Sequence, residues 1–212
     1  MDLYIIRHAQ SLLNIGKGDS PNAGLSQFGK EQAICLQEFF RDIHVDVIYS
    51  SPLRRVIETA NPVADQKKLP IHLAPEMCEF FHELSLDYRD HNWETISDII
   101  GEFPNSQFYK TSPNDQWWPK WPEKEDDVKE RVNKFYKEVI QKYISSNSVV
   151  LVFGHGATTG ELKKIVVEET MNPCPNAGIF KYQINEDGKC VGYKMYIDHL
   201  GELTFDLNAK AY

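Results

Sequence analysis

Long apolar runs are missing from this 212-residue chain. No segment approaches the roughly 20 apolar residues that a membrane-spanning helix needs, so no membrane is expected as a partner. Positive charge is also short, with 23 Lys and Arg against 31 Asp and Glu and a formal charge of −8. Such a balance keeps a protein in solution and argues against an extended surface for nucleic acid or acidic lipid. Any anion must therefore be held by a local cluster of positive groups. Cysteine is sparse and scattered, at Cys35, Cys78, Cys174 and Cys190, with no C-x-x-C pair. That spacing speaks against a zinc site or a small disulfide framework and reads as free thiols in a reducing compartment. The first residues carry an acid, Asp2, where a signal peptide carries base, and their apolar run is short. A cytoplasmic location is the expectation. Neither an internal repeat nor a low-complexity tract is present.

What remains is ordinary globular composition, 42% hydrophobic and 25% charged, in a length suited to a single domain, residues 1–212, with a sizeable core. Strand-like and helix-like patterns alternate. Leu3 to Ile6 reads as a buried strand, and Gly24-Leu25-Ser26 opens a helix to about Arg41 with Ala33, Leu36, Phe40 and Ile43 at helical spacing. Val45 to Tyr49 is a second strand, running into a helix from about Leu53 to Gln66 with Pro52 near its first turn. Ile71 to Leu73 is a short strand. Glu125 to Ile144 places Val128, Val132, Phe135, Val139 and Tyr143 on one helical face. The uninterrupted Val149 to Phe153 is the pattern of a central strand covered on both faces. A helix over Ala157 to Glu169 follows, then a hairpin of Ile179 to Ile184 and Val191 to Ile197 about Asn185-Glu186-Asp187-Gly188. The alternation predicts an α/β fold, a three-layer α/β/α sandwich on a mostly parallel sheet. Between about Phe80 and Pro122 the rhythm fails. That stretch holds all four tryptophans, Trp93, Trp117, Trp118 and Trp121, and reads as a cap, a lid or an excursion packed on itself.

Ligands of open parallel sheets bind outside the carboxyl ends of the strands. Here those ends deliver Arg7-His8, Ser50 leading to Arg54-Arg55, and Gly154-His155-Gly156 to one rim. Two histidines and up to three arginines make a phosphate or carboxylate site, because the guanidinium fork matches such oxygens bidentately. The helix start after Ser51-Pro52 could add N–H groups. Alternatives stand beside this reading. The arginines could pair with the many acids, Arg54 could be a solvated helix residue, and Asn14 could simply turn the chain.

Four segments in order, Arg7-His8-Ala9-Gln10-Ser11 with Asn14, Leu25 to Ala33, Ser51 to Ala60, and Gly154-His155-Gly156, resemble the motifs of the histidine phosphatase superfamily, also called phosphoglycerate mutase-like. The resemblance implies a metal-independent and cofactor-free phosphatase of small phosphomonoesters. His8 would attack phosphorus and become a phosphohistidine. Arg7, Asn14, Arg55 and His155 would bind the phosphoryl oxygens, His155 also stabilising charge during transfer. A glutamate would protonate the leaving oxygen. Glu79 in Met77-Cys78-Glu79 fits that role, with Glu76 and Glu83 as competitors, and burial would have to raise its pKa. His82-Glu83 begins like a zinc motif, but Leu86 stands where a second histidine is needed. His82 and His91 are expected at the surface, and Glu123 to Asp127 as acids complementing a helix dipole. Two other functions compete: a mutase of the same superfamily, disfavoured because Glu79-Phe80-Phe81-His82-Glu83 departs from the mutase pattern, and a non-catalytic phosphate-binding module. Specificity is expected in Phe80 to Pro122, whose aromatic and acidic character suits sugar- or nucleotide-like leaving groups better than highly anionic ones.

Overall fold

The computed structural model describes residues 1–110, 116–167 and 174–204. Its sheet runs β4-β3-β2-β5-β1-β6-β7. The strands are β1 (Asp2–Arg7), β2 (Val47–Ser50), β3 (Ile71–Leu73), β4 (Ser106–Phe108), β5 (Val149–Gly154), β6 (Ile179–Ile184) and β7 (Cys190–Tyr196). From β4 to β1 neighbouring strands are parallel, and β6 and β7 then close that side antiparallel. The helices are α1 (Gln27–Phe40), α2 (Arg54–Lys67), α3 (Leu86–Asp90), α4 (Ile96–Glu102), α5 (Glu125–Glu138) and α6 (Gly156–Val167).

Side-chain alternation along the strands explains the layering. Tyr4, Ile6, Leu151 and Phe153 face one way, into a core with Leu36 and Phe40 of α1 and Val56, Ala60 and Val63 of α2. Leu3, Ile5, Val150 and Val152 face the other way and meet Val128, Val132 and Phe135 of α5 and Leu162 of α6. Both faces of β1 and β5 are thus covered, as the continuous apolar runs require. The expected sandwich is present.

Two elements differ from the sequence reading. The helix expected over Glu125 to Ile144 stops at Glu138 and continues as a 3₁₀ turn over Ile140–Tyr143. Val139 and Ile140 remain buried, so the apolar stripe outlasts the α-helix that it predicts. The aromatic stretch, moreover, is no simple excursion. It contributes β4, which extends the sheet through Ile71↔Ser106 to Leu73↔Phe108. Ser106-Gln107-Phe108 carries little strand propensity of its own, and pairing with β3 supplies what the local sequence does not. The same stretch packs its rings on themselves. Phe81 stacks on Trp93 with centroids 5.2 Å apart, and Trp93 meets Trp117 edge to face at 5.5 Å.

The loop after β1 is docked on the start of α1. Ser26 caps α1 by accepting from the Gly29 N–H at 3.0 Å, while its hydroxyl donates to Gln10 Oε1 at 2.6 Å and its N–H to the Gln10 carbonyl at 3.0 Å. A Cβ on Gly29 would lie 1.9 Å from that same carbonyl oxygen. Gly29→Ala must push the loop carrying His8 away from the helix. Overpacking of this kind costs about 1–3 kcal/mol, and the melting temperature should fall by about 2–4 °C for each of them in a domain this size. An unchanged melting curve in thermal circular dichroism would contradict this account of the docking.

Candidate active site

Strand order places the chemistry. β2, β5 and β1 are consecutive neighbours, with Arg7 paired to Gly154 and Ser50 to Phe153. The next residues on each, Ser51, His155 and His8, therefore emerge side by side on one rim. A cavity of about 620 Å³ opens there, and its wall includes Arg7, His8, Asn14, Arg55 and Glu79.

His8 is held by its own backbone and its neighbours. Nδ1 donates to the Ala9 carbonyl at 2.7 Å, an assignment forced because a carbonyl oxygen only accepts. In the neutral ring Nε2 then carries the lone pair. The ring is neutral: burial pushes its pKa well below the ordinary 6.5, and Arg55, His155 and Arg7 press it further. The loop is fixed from α2, where Thr59 Oγ1 accepts from the Ala9 N–H at 3.0 Å and Glu58 Oε2 accepts from the Leu25 N–H at 2.7 Å. Arg55, Glu58 and Thr59 stand at i, i+3 and i+4 and so share one helix face. Asn176 closes the other side by donating to the His8 carbonyl at 2.9 Å.

The two guanidiniums are anchored but not saturated. Arg55 is buried and donates to the Pro21 carbonyl at 2.9 Å and to the Tyr88 hydroxyl at 3.3 Å. Arg7 Nη1 donates to the Cys174 carbonyl at 3.0 Å, whereas its Nε is buried without a hydrogen-bond partner among the described residues. Burial lowers the Arg7 pKa, Glu79 opposes that fall, and Arg55 adds to it. Asn14 uses its side-chain oxygen to accept from the N–H and hydroxyl of Ser11, at 2.9 and 3.0 Å, leaving its amide NH₂ for a ligand.

His155 is fully buried behind this wall and does not itself line the cavity. Its ring centroid lies 5.2 Å from that of His8. Nε2 meets the Ser51 hydroxyl at 2.9 Å, and Nδ1 lies 3.3 Å from Glu79 Oε2 without hydrogen-bond alignment. Burial pushes the His155 pKa down to about 4 against the pull of Glu79, with Arg55 adding to the fall.

Of the three candidate acids only Glu79 lines the cavity; Glu76 accepts from the Tyr109 hydroxyl at 2.6 Å, and Glu83 is exposed. The expected rise in its pKa is reversed. Burial does raise it, but His155, Arg55 and the Phe80 N–H, which donates to Oε1 at 3.0 Å, together hold it below the usual carboxylate range. Without an anion in the cavity Glu79 is a carboxylate.

Other expectations also move. Arg54 pairs with Glu102, its Nη2 donating to Oε2 at 2.6 Å, and takes no part in the cavity. The helix end that meets the cavity is that of α6, through Gly156 and Ala157, rather than that of α2, whose Arg54 N–H is taken by Asn22 Oδ1 at 2.8 Å. His82 lines the cavity instead of standing apart on the surface, and none of the four tryptophans does. Glu123 is not a solvated helix-dipole acid. It is buried and paired with Arg131 at 2.7 Å. The spacing of Glu58 and Thr59 from Arg55 was a usable signal for their roles. Tyr88 and Asn176 had none.

A nitrogen of each histidine and an oxygen of Glu79 lie within 4.8 Å of one another, a separation that a metal ion could bridge. The neighbouring guanidiniums of Arg7 and Arg55 make that position hostile to a cation and hospitable to an oxyanion. Residues 3–189 match the histidine phosphatase superfamily (branch 1). The chain belongs to that superfamily. It is similar to the 5''-phosphoribostamycin phosphatase of Niallia circulans, 28% identical over 73% of each chain. It is also similar to phosphoserine phosphatase 1 of Hydrogenobacter thermophilus, 28% identical over 72% of this chain and 70% of that one. Its fold matches the crystal structure of a phosphoglycerate mutase from Bacillus anthracis, with a TM-score of 0.65, 21% identity and coverage of 92% and 91%. Among the described residues no helix is long and apolar enough to cross a membrane.

Both site histidines are held neutral, so folding must lose stability as the pH falls. Above 6.5 neither state binds the protons; below it the unfolded chain takes them up and the folded chain does not. For His155 that window runs from 6.5 down to about 4, and each such group contributes up to about 1.4 kcal/mol per pH unit. Urea titrations at pH 7.5, 6.5 and 5.5 should show falling stability, with a shallower fall in His155→Asn. A pH-independent midpoint would mean that these rings protonate freely in the folded protein.

Proposed function

We propose that this phosphatase hydrolyses a small phosphomonoester by passing the phosphoryl group from substrate to His8 Nε2 and then to water. The single observation that carries the reading is a buried donor without a partner among the described residues, Arg7 Nε, close to a neutral histidine whose free nitrogen is Nε2. Buried donors are rarely left unmet, and a phosphoryl oxygen would satisfy this one. Arg7, Arg55, Asn14 and the first N–H groups of α6 would share the remaining oxygens and stabilise the charge they gather in transfer.

The state of Glu79 then follows from what enters. An anion that draws on Arg55 removes the guanidinium charge that holds the carboxyl ionised and adds negative charge beside it. Burial, which raises the pKa, prevails, and Glu79 takes up a proton. As the N–P bond to His8 forms and the P–O bond to the leaving group breaks, that proton passes to the leaving oxygen. Water then attacks phosphohistidine, giving its proton back to Glu79, and inorganic phosphate leaves with His8 neutral again. Protonation is thereby coupled to occupancy.

The outer cavity wall bears on the alternatives. Among the described residues it is formed by Leu13, Phe80, His82, Ser85, Asp87 and Tyr88, with no lysine or arginine. A mutase acting on a substrate with a second acid group needs positive charge there, and the one formal charge present is that of Asp87. We read the leaving group as bearing no net negative charge. The stretch 80–122 would supply this wall as a specificity element. A mere binding module has no need of a free His8 Nε2 facing a carboxyl group.

His8→Ala should retain the fold and lose more than about 10³-fold in turnover, roughly 4 kcal/mol of transition-state stabilisation. The acid-labile, base-stable phosphoryl adduct seen by rapid quench of the parent protein should vanish with it. Substantial residual turnover would place the nucleophile elsewhere.

Ester charge gives a second check. Among phosphoesters of similar length, phosphoethanolamine and propyl phosphate should show higher kcat/KM than phosphoglycolate, and Asp87→Asn should narrow the gap. Preference for phosphoglycolate would restore the mutase-like reading of the outer wall.

A further inference from the structure

Glu79 sits on a turn, yet its carboxyl must be placed to within a fraction of an ångström of a departing oxygen. What holds that turn comes from a part of the chain read from sequence as solvated helix start. Arg131, on α5, directs its guanidinium at the backbone of residues 76–79. Nη1 donates to the carbonyls of Glu76 at 2.5 Å and Cys78 at 2.9 Å, and Nη2 donates to the carbonyl of Glu79 at 3.0 Å. The same fork grips Glu123 bidentately, Nε to Oε1 at 2.7 Å and Nη2 to Oε2 at 3.1 Å. Glu123 in turn is tied to the residue two beyond the acid, accepting from the Phe81 N–H at 3.0 Å through Oε2 and donating its own N–H to the Phe81 carbonyl at 2.9 Å. Trp121 Nε1 adds a bond to the His82 carbonyl at 3.1 Å. Both charged side chains are largely buried, 13% and 5% exposed.

We infer that the Arg131–Glu123 pair is a positioning device for Glu79, clamping the turn that carries the acid from behind and joining the two ends of the aromatic segment at its neck. Neither residue lines the cavity, so neither touches substrate. Three carbonyls met by one planar group demand the fork of arginine; the point charge of lysine balances Glu123 but cannot span them. An interaction that orients a catalytic group controls the step that group performs, and a misplacement of about 1 Å costs on the order of 10²-fold. The inference rests on the reading of Glu79 as proton donor.

The distinguishing readout is leaving-group dependence. A proton donor matters greatly for an alkoxide and little for a nitrophenolate. In Arg131→Lys, single-turnover phosphorylation of His8 by propyl phosphate should fall about 10- to 100-fold, and that by p-nitrophenyl phosphate far less. Glu123→Gln keeps an acceptor for the Phe81 N–H, so it should show the same pattern more weakly and serves if Arg131→Lys fails to fold. Added to Glu79→Gln, Arg131→Lys should cause little further loss with propyl phosphate, because the group it positions is already disabled. Equal losses on both esters, or full additivity with Glu79→Gln, would reduce the pair to general structural support and overturn the inference. Glu79→Gln itself is the control for the underlying reading. If it shows the leaving-group signature and the clamp variants do not, the clamp fails alone. If Glu79→Gln lacks the signature, the acid assignment fails and the clamp falls with it.

Discussion

Two guanidinium groups held at the floor of one cavity are the constraint around which the rest of this structure is organised. Arg7 arrives on the end of β1 and Arg55 on the first turn of α2, and each is fastened to backbone, to Cys174 and Pro21 respectively. Like charges at such proximity cost free energy unless something negative shares the space. Glu79 lies 3.9 Å from Arg55, and one carboxylate does not neutralise two guanidiniums. Burial, joined by the remaining positive potential of Arg55, depresses both histidines and keeps the His8 ring neutral at neutral pH. The charge that would capture a phosphoryl group is also the charge that keeps its acceptor unprotonated.

The same field sets Glu79 in a state opposite to the one its proposed task needs, and the opposition is informative. A carboxyl kept neutral by burial alone would be a permanent acid in an empty site. A carboxyl kept ionised by the Arg55 guanidinium becomes an acid only when that group is claimed by an anion. Desolvation and Coulomb attraction act on it with opposite signs, so the entry of a dianion need tip only their balance. This makes the expectation of a simply raised pKa wrong for the unliganded protein while leaving the residue itself as the one candidate acid in contact with the cavity.

How much of this could be read from the sequence depends on how local the causes are. Arg7, His8 and His155 sit at ends of strands whose apolar runs declare themselves, Arg55 on the helix that β2 leads into, and a parallel sheet gathers those ends without further information. Their shared rim was therefore legible. Helix periodicity likewise exposed α1 and α5, and Pro52 near a first turn announced α2, although the stripe of α5 ran past its helical end at Glu138. Beyond that the causes are long-range. β4 exists because β3 offers an edge, not because Ser106-Gln107-Phe108 prefers to be extended. Glu123 looked like a dipole-complementing acid since its partner Arg131 lies two turns on, and the three carbonyls they hold in place lie more than 40 residues away.

That distance also explains how the aromatic segment can belong to the domain and still differ in kind from it. Its two ends are zipped together by Phe81, Glu123 and Arg131 just behind Glu79, so whatever the intervening residues do, the turn bearing the carboxyl stays registered against α5. Its first residues, Phe80 to Tyr88, form the outer cavity wall, and its middle lends the sheet an edge strand while its tryptophans bury one another. On the proposed reading, chemistry at the floor depends on strand ends that are packed on both faces, and recognition at the mouth depends on a segment held at its neck. Substitutions at the mouth can therefore alter which alcohol is accepted without disturbing the phosphoryl site, provided the neck is intact. The neck is where the two problems meet, because a change there displaces the turn that carries Glu79, the proposed proton donor.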